Sequence, residues 1–123
     1  MKIVIIGDGK VGFKLAKQLS EENYDIVLID PNEGKLKETI NRLDIFCITG
    51  DWSQCRSAEA GGCTHADLVI ACASTDELNM LSCLIARRLG ARHTIARVRN
   101  PVYLQQLDIL KEDLHLSMAV NLN

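Results

Sequence analysis

Along most of the chain, short apolar runs rich in Val, Ile and Leu alternate with stretches whose apolar positions recur at helical spacing. The runs Lys2–Ile6, Asp25–Ile29, Ile45–Thr49, Asp67–Ala71, Thr94–Val98 and, more weakly, Leu114–Val120 predict strands. They are nearly continuous in apolar residues rather than alternating, which suits parallel strands covered on both faces by helices. Val11, Leu15, Ala16 and Leu19 form one stripe of a helix opening near Lys10, and Leu36, Ile40 and Leu43 one stripe of a second. Ser74 followed by Glu77 has the form of a capping box. It would open a third helix running through Leu89, with Leu78, Leu81, Leu84, Ile85 and Leu89 as its apolar face. Asn100-Pro101 has the cap-then-proline order of a further helix start. Strand alternating with helix over short links predicts an α/β fold, a doubly wound parallel sheet of about six strands with helices on both faces and right-handed crossovers. With no repeats, low-complexity segments or linker, residues 1–123 read as one domain.

The first predicted strand ends in Gly7-Asp8-Gly9-Lys10-Val11-Gly12, a GxGxxG loop directly before a helix. This context makes the fold Rossmann-like and turns a weak motif into a nucleotide-site hypothesis. Gly7 permits the tight turn, Gly9 lets backbone N–H groups approach a pyrophosphate, and Gly12 lets helix and strand pack closely. The phosphates would meet the free N–H groups and partial positive charge of the helix N-terminus. Asp30 closes the next strand, where an acid accepts hydrogen bonds from ribose hydroxyls and repels a 2′-phosphate. NADP is therefore disfavoured, while NAD, ATP, ADP and AMP stay open. Asp8 is tolerable beside an anion only if its side chain turns away. Lys10 either reaches a phosphate or is solvated.

Ligands of such sheets lie beyond the carboxyl ends of the strands. Those ends bring in Gly50-Asp51, which could read the adenine edge or only make a turn, and Ala73-Ser74. Strand alternation puts Arg97 and Arg99 on one side, and an arginine in an apolar strand demands solvent or a charged partner. One of them is expected to bear on the ligand.

Composition narrows the classes. The net charge is −2 with 47% hydrophobic residues, and Lys and Arg are scattered apart from Arg87-Arg88, so the basic footprint of a nucleic-acid binder is missing. No apolar run approaches the ~18–20 residues of a membrane helix, and the chain opens directly on a strand pattern. The expectation is a soluble cytoplasmic domain. The five cysteines, Cys47, Cys55, Cys63, Cys72 and Cys83, form no CxxC pair and read as buried or idle thiols rather than a metal site. His65, His93 and His115 are isolated in sequence.

The stretches MKIVIIGDGKVG, DIVLID, ITGD, ADLVIACASTDELNM, IARVRNPVYL and LHLSMAVN occur in order along nearly the whole chain. Together they resemble the N-terminal domain of Trk-type potassium-uptake regulators, the TrkA-like RCK or KTN family. TDELNM with ARVRNP is much more specific than the glycine loop alone. The resemblance implies a cytoplasmic, non-catalytic regulatory subunit that binds NAD(H) or adenine nucleotides and controls a membrane potassium channel or transporter. It implies a homo-oligomer, dimer or larger ring, reaching the membrane only through its partner. It also implies that Gly7, Asp8, Gly9, Lys10, Val11 and Gly12 hold the phosphates and Asp30 the ribose. Asp51, Ala73 and Ser74 would line the adenine and ribose side, and Arg97 would reach the phosphates. A basic residue at the Lys10 position is associated with ATP sensing in this family, which keeps ATP and ADP beside NAD. Family members normally continue into a smaller C-terminal ligand domain, so the chain is expected to be an isolated N-terminal domain.

The rival is an NAD-dependent oxidoreductase fragment. Hydride transfer needs a substrate pocket and a placed acid or base. Neither Tyr24 nor Tyr103 is followed by a lysine four residues on, and residues 1–123 are expected to hold no substrate domain. A nucleotide-sensing repressor would need a DNA-reading module, for which no segment is available.

Overall fold

The computed structural model describes residues 1–50, 65–113 and 118–120. Six parallel strands form one sheet: β1 (Lys2–Ile6), β2 (Asp25–Asp30), β3 (Phe46–Thr49), β4 (Leu68–Ala71), β5 (His93–Arg97) and β6 (Met118–Val120). Their spatial order is β3-β2-β1-β4-β5-β6, so the chain winds outward from β1, then crosses over to β4 and winds the other way. Among the described residues, five helices flank the sheet: α1 (Lys10–Glu21), α2 (Glu33–Arg42), α3 (Asp76–Arg88), α4 (Pro101–Gln105) and α5 (Leu107–Asp113). The doubly wound parallel sheet expected from the alternating pattern is the observed fold.

The unbroken apolar runs are explained by two cores. Ile3, Ile5, Ile26, Leu28 and Ile70 point to one face, where they meet Ala16, Leu15 and Leu19 of α1 and Leu36 of α2. Val4, Ile6, Val27, Ile29, Val69 and Ala71 point to the other, against Met80, Cys83 and Ala86 of α3 and Tyr103 and Leu104 of α4. Successive strand residues face opposite sides, so covering both sides leaves no place for a polar alternation.

The helical stripes were less accurate. Ile40 is 53% exposed, and Thr39 takes the inward position on α2 between Leu36 and Leu43. On α3 the inward residues are Asn79, Met80, Ser82, Cys83 and Ala86, while Leu81 is 46% exposed and Leu78, Leu84 and Ile85 are half-buried. A polar face can turn inward here because the strand ends present backbone groups that need partners. The third helix is capped by Thr75, whose hydroxyl accepts from the Leu78 N–H at 3.2 Å, not by Ser74. Strand β6 occupies the described part of the predicted run Leu114–Val120, and residues 114–117 lie outside the described residues.

Two glycines set the tightest approach. Gly7 has φ of +110°, and a Cβ on it would lie 2.8 Å from the Cys72 carbonyl oxygen. A Cβ on Gly12 would lie 1.8 Å from the Gly7 carbonyl oxygen, so α1 is seated directly on the turn leaving β1. Gly12→Ala should therefore destabilise the domain by about 3 kcal/mol or more, because neither backbone can retreat. Urea unfolding of the two proteins measures this, and a wild-type midpoint for the variant would contradict the packing.

Candidate functional site

The carboxyl ends of the strands open onto a cleft of about 630 Å³, in the size range of small-molecule sites. It straddles β1 and β4, where the winding reverses, and its lining includes Gly7, Gly9, Asp30, Ala73, Ser74 and Arg97. Ligands of open parallel sheets bind at this switch point.

One wall is the start of α1. The N-caps of α2, α3 and α4 are side chains: Asn32, Thr75 and Asn100 each accept a first-turn N–H. The N-cap of α1 is Gly9, which makes no side-chain cap hydrogen bond. A Cβ placed on Gly9 would meet nothing within 4 Å, so the backbone there is open. First-turn N–H groups of an uncapped helix require an external acceptor.

Asp30 stands at the end of β2 and organises the neighbouring turns. Its Oδ2 accepts from the Asp8 N–H at 2.7 Å, and its Oδ1 accepts from the Asn32 N–H at 2.7 Å. Each carboxylate oxygen keeps a further lone pair for an incoming hydroxyl. Gly50, at the end of β3 with φ of +150°, also borders the cleft, whereas Asp51 lies outside the described residues.

The opposite wall is built by α3. Asn79, 1% exposed, accepts from the Ala73 N–H at 2.6 Å and donates to the carbonyls of Ala73 at 3.2 Å and Arg97 at 2.9 Å. Asp76 accepts from the Arg99 N–H at 3.0 Å and the Asn100 N–H at 2.6 Å. Arg99 donates from its guanidinium to the Ser74 carbonyl at 2.7 Å, so it braces the rim. Arg97 is different: its Nε is buried with no hydrogen-bond partner, as is Ser82 Oγ, and both residues border the cleft.

The remaining loop residues divide by role. Asp8 is 5% exposed and turned away from the cleft, its Oδ2 accepting from the Thr39 hydroxyl at 2.6 Å. Burial pushes its carboxyl above the ordinary value, the Thr39 hydrogen bond opposing and the Asp30 charge reinforcing. Lys10 borders a smaller neighbouring cavity with Asp8, Lys35 and Arg42 rather than the main cleft. Val11 packs its side chain against the core, leaving only its backbone for a ligand. Cys72 lies on the cleft floor, and burial pushes its thiol up to about 11, so it is neutral at physiological pH.

Asn79, Asp76, Thr39 and Ser82 carry no motif signal for a site role in the sequence. Asp76 and Asn79 lie inside TDELNM and hold the backbone of ARVRNP, so the two most specific stretches form one hydrogen-bonded unit. Among the described residues, no group of three or more His, Cys, Asp or Glu could hold a metal ion, and no helix is long and apolar enough to cross a membrane.

The winding order, the close-packed glycine turn and the open cleft at the switch point define a Rossmann-like domain. The TrkA-N domain profile matches residues 3–119, and the chain belongs to that family. It is 43% identical over 105 residues to the Trk system potassium uptake protein TrkA of Halomonas elongata, covering 85% of this chain and 23% of that protein. The chain thus spans about a quarter of that relative's length. Among solved structures it is similar to the TrkA-N domain of inner membrane protein ybaL from Escherichia coli. The TM-score is 0.81 at 16% identity, covering 98% of this chain and 86% of that one. It is also similar to the GsuK channel bound to NAD, with a TM-score of 0.76 at 22% identity over 97% of this chain and 21% of that one. GsuK bound to ADP gives 0.77 at 21% identity, over 98% and 31%. At these identities the structural likenesses show the fold alone.

Replacing Asn79 by Ala strands a buried N–H and weakens the junction of β4 and β5. The expected cost is about 2–4 kcal/mol, read by urea unfolding. A loss below about 1 kcal/mol would mean that the clamp is solvated rather than structural.

Proposed function

We propose that this domain binds an adenine nucleotide in the switch-point cleft, NAD(H) ahead of ATP, ADP or AMP, with NADP disfavoured. Occupancy then regulates a membrane potassium transporter or channel from the cytoplasmic side, without catalysis by this domain. The observation that carries the reading is Arg97, whose buried Nε has no hydrogen-bond partner and which lines the same cleft as the uncapped start of α1. A guanidinium N–H and free helix N–H groups together ask for an anion with several acceptor oxygens, such as a pyrophosphate. Asp30, with lone pairs to spare, supplies the acceptors for a ribose at the other end.

In this reading the backbone at Gly7, Gly9, Lys10, Val11 and Gly12 holds phosphates with Arg97. Asp30 takes the adenosine ribose, and Ala73 and Ser74 border the second half of the ligand. Asp51 belongs to the adenine side by resemblance alone. The names of the relatives, Trk system potassium uptake proteins, support a regulatory role in potassium transport. GsuK bound to NAD and to ADP supports this fold as a nucleotide carrier. The neutral Cys72 thiol offers no ready nucleophile in the cleft.

Regulation requires that a nucleotide favour one arrangement of paired domains over another, since equal affinity for both shifts nothing. The domain therefore works in a homo-oligomer, where movement of the nucleotide walls changes what the pore subunit meets.

Calorimetric titration with NAD, NADH, NADP, ADP and ATP tests the reading. Asp30→Ala should weaken NAD about 10- to 100-fold and narrow the gap to NADP, and Arg97→Gln should weaken every phosphate-bearing ligand about 10-fold or more. Absence of heat with all five ligands would sink the sensor. Turnover of a 2-hydroxy acid with NAD would restore the oxidoreductase.

A further inference from the structure

Asp8 carries chemistry that nucleotide binding does not use. Its Oδ2 is 2.6 Å from Thr39 Oγ1, and that hydroxyl is also 3.1 Å from the Lys35 carbonyl oxygen. A threonine hydroxyl has one proton to donate. With Asp8 ionised, that proton serves the carboxylate or the carbonyl, and the second contact goes without one. With Asp8 protonated, the carboxyl donates to Thr39 Oγ1 and Thr39 donates onward to Lys35, so both contacts become hydrogen bonds.

The surroundings on balance raise the cost of the ionised form. The Asp8 N–H is spent on the Asp30 carboxylate of β2, which places a second negative charge beside it. From α2, Glu38 adds negative charge and Lys35 positive. Lys10 of α1 and Arg42 of α2 border the same small cavity, Arg42 lying over the Phe13 ring at 4.6 Å. Cys47 of β3 and Cys72, just after β4, face this region as neutral thiols. Burial, the largest influence, pushes the Asp8 carboxyl up from its ordinary 3.8. Gly9, the next residue, borders both this cavity and the main cleft, so an anion at the start of α1 brings further negative charge close to Asp8.

We propose that Asp8 is a proton-binding site linked to the nucleotide: a pyrophosphate seated at Gly9–Gly12 draws a solvent proton onto the Asp8 carboxyl, so the domain reads pH together with nucleotide. The inference rests on the cleft being a nucleotide site. Because the complex holds more protons than the free protein, affinity rises as pH falls, by at most about tenfold per pH unit for one proton. Of the described histidines, His65 precedes β4 and His93 opens β5, both at the amino edge of the sheet away from the cleft, so neither supplies this proton.

The test is calorimetric titration with NAD at about pH 5.5 and 8, each in two buffers of different ionisation enthalpy, which counts protons taken up. NAD is the probe because its pyrophosphate is a diester, whereas the terminal phosphate of ADP titrates near pH ~6. The expected result is fractional proton uptake and several-fold tighter NAD binding at the lower pH. Both should vanish in Asp8→Asn, which should bind NAD at the higher pH as tightly as wild type does at the lower. Equal wild-type affinity at both pH values without proton uptake overturns the linkage, and needs no variant to show it. A wild-type pH profile in Asp8→Asn overturns the assignment to Asp8. No NAD binding at either pH removes the nucleotide reading beneath it.

Discussion

A parallel sheet leaves backbone N–H and C=O groups without ladder partners where its strands end, and the ligand side of this domain is organised by how those groups are satisfied. Three side chains do most of it. Asp30 takes the N–H groups of Asp8 and Asn32 after β1 and β2. Asp76 takes those of Arg99 and Asn100 after β5. Asn79 takes the Ala73 N–H and gives its own protons to two carbonyls across β4 and β5. The cleft is what remains open between these clamps.

The same accounting explains why the polar residues of α3 face inward. A buried amide with its hydrogen bonds made is worth keeping, whereas a leucine in its place would leave strand-end groups stranded at a cost of about 1–3 kcal/mol each. The leucines of α3 and Ile85 are consequently displaced outward, to half-buried and exposed positions, while Met80 stays in the core. The exceptions gather at the cleft. The first turn of α1 lacks a side-chain cap, and Arg97 Nε and Ser82 Oγ lack partners, all bordering or opening onto one cleft.

Charge is distributed with the same logic. Asp8 occupies the glycine loop without opposing an anion there, because its side chain is folded back onto Thr39. Lys10, on the other side of the loop, also turns to the smaller cavity. The loop therefore offers its backbone to the cleft and keeps its charged side chains behind it. That division makes backbone N–H groups, rather than a charged side chain, the loop's contribution to the cleft.

Much of the fold was legible in the sequence. Strands buried on both faces are unbroken apolar runs, and GxGxxG between strand and helix has few alternatives once Gly12 must sit against the Gly7 carbonyl. The cap at Asn100 was equally local, since a side chain and its N–H targets lie within one turn. What the sequence could not settle was direction. Periodicity placed Ile40 and Leu81 inward, and Ser74 rather than Thr75 at the cap, because spacing does not say which polar groups the sheet will need. The partnership of Asn79 with Arg97, and of Asp8 with Thr39, joins residues far apart in the chain. Only the packed tertiary structure, by bringing Asp30, Asp76 and Asn79 against the exposed strand ends, decided which side chains satisfy those backbone groups and which stand unpartnered beside the cleft.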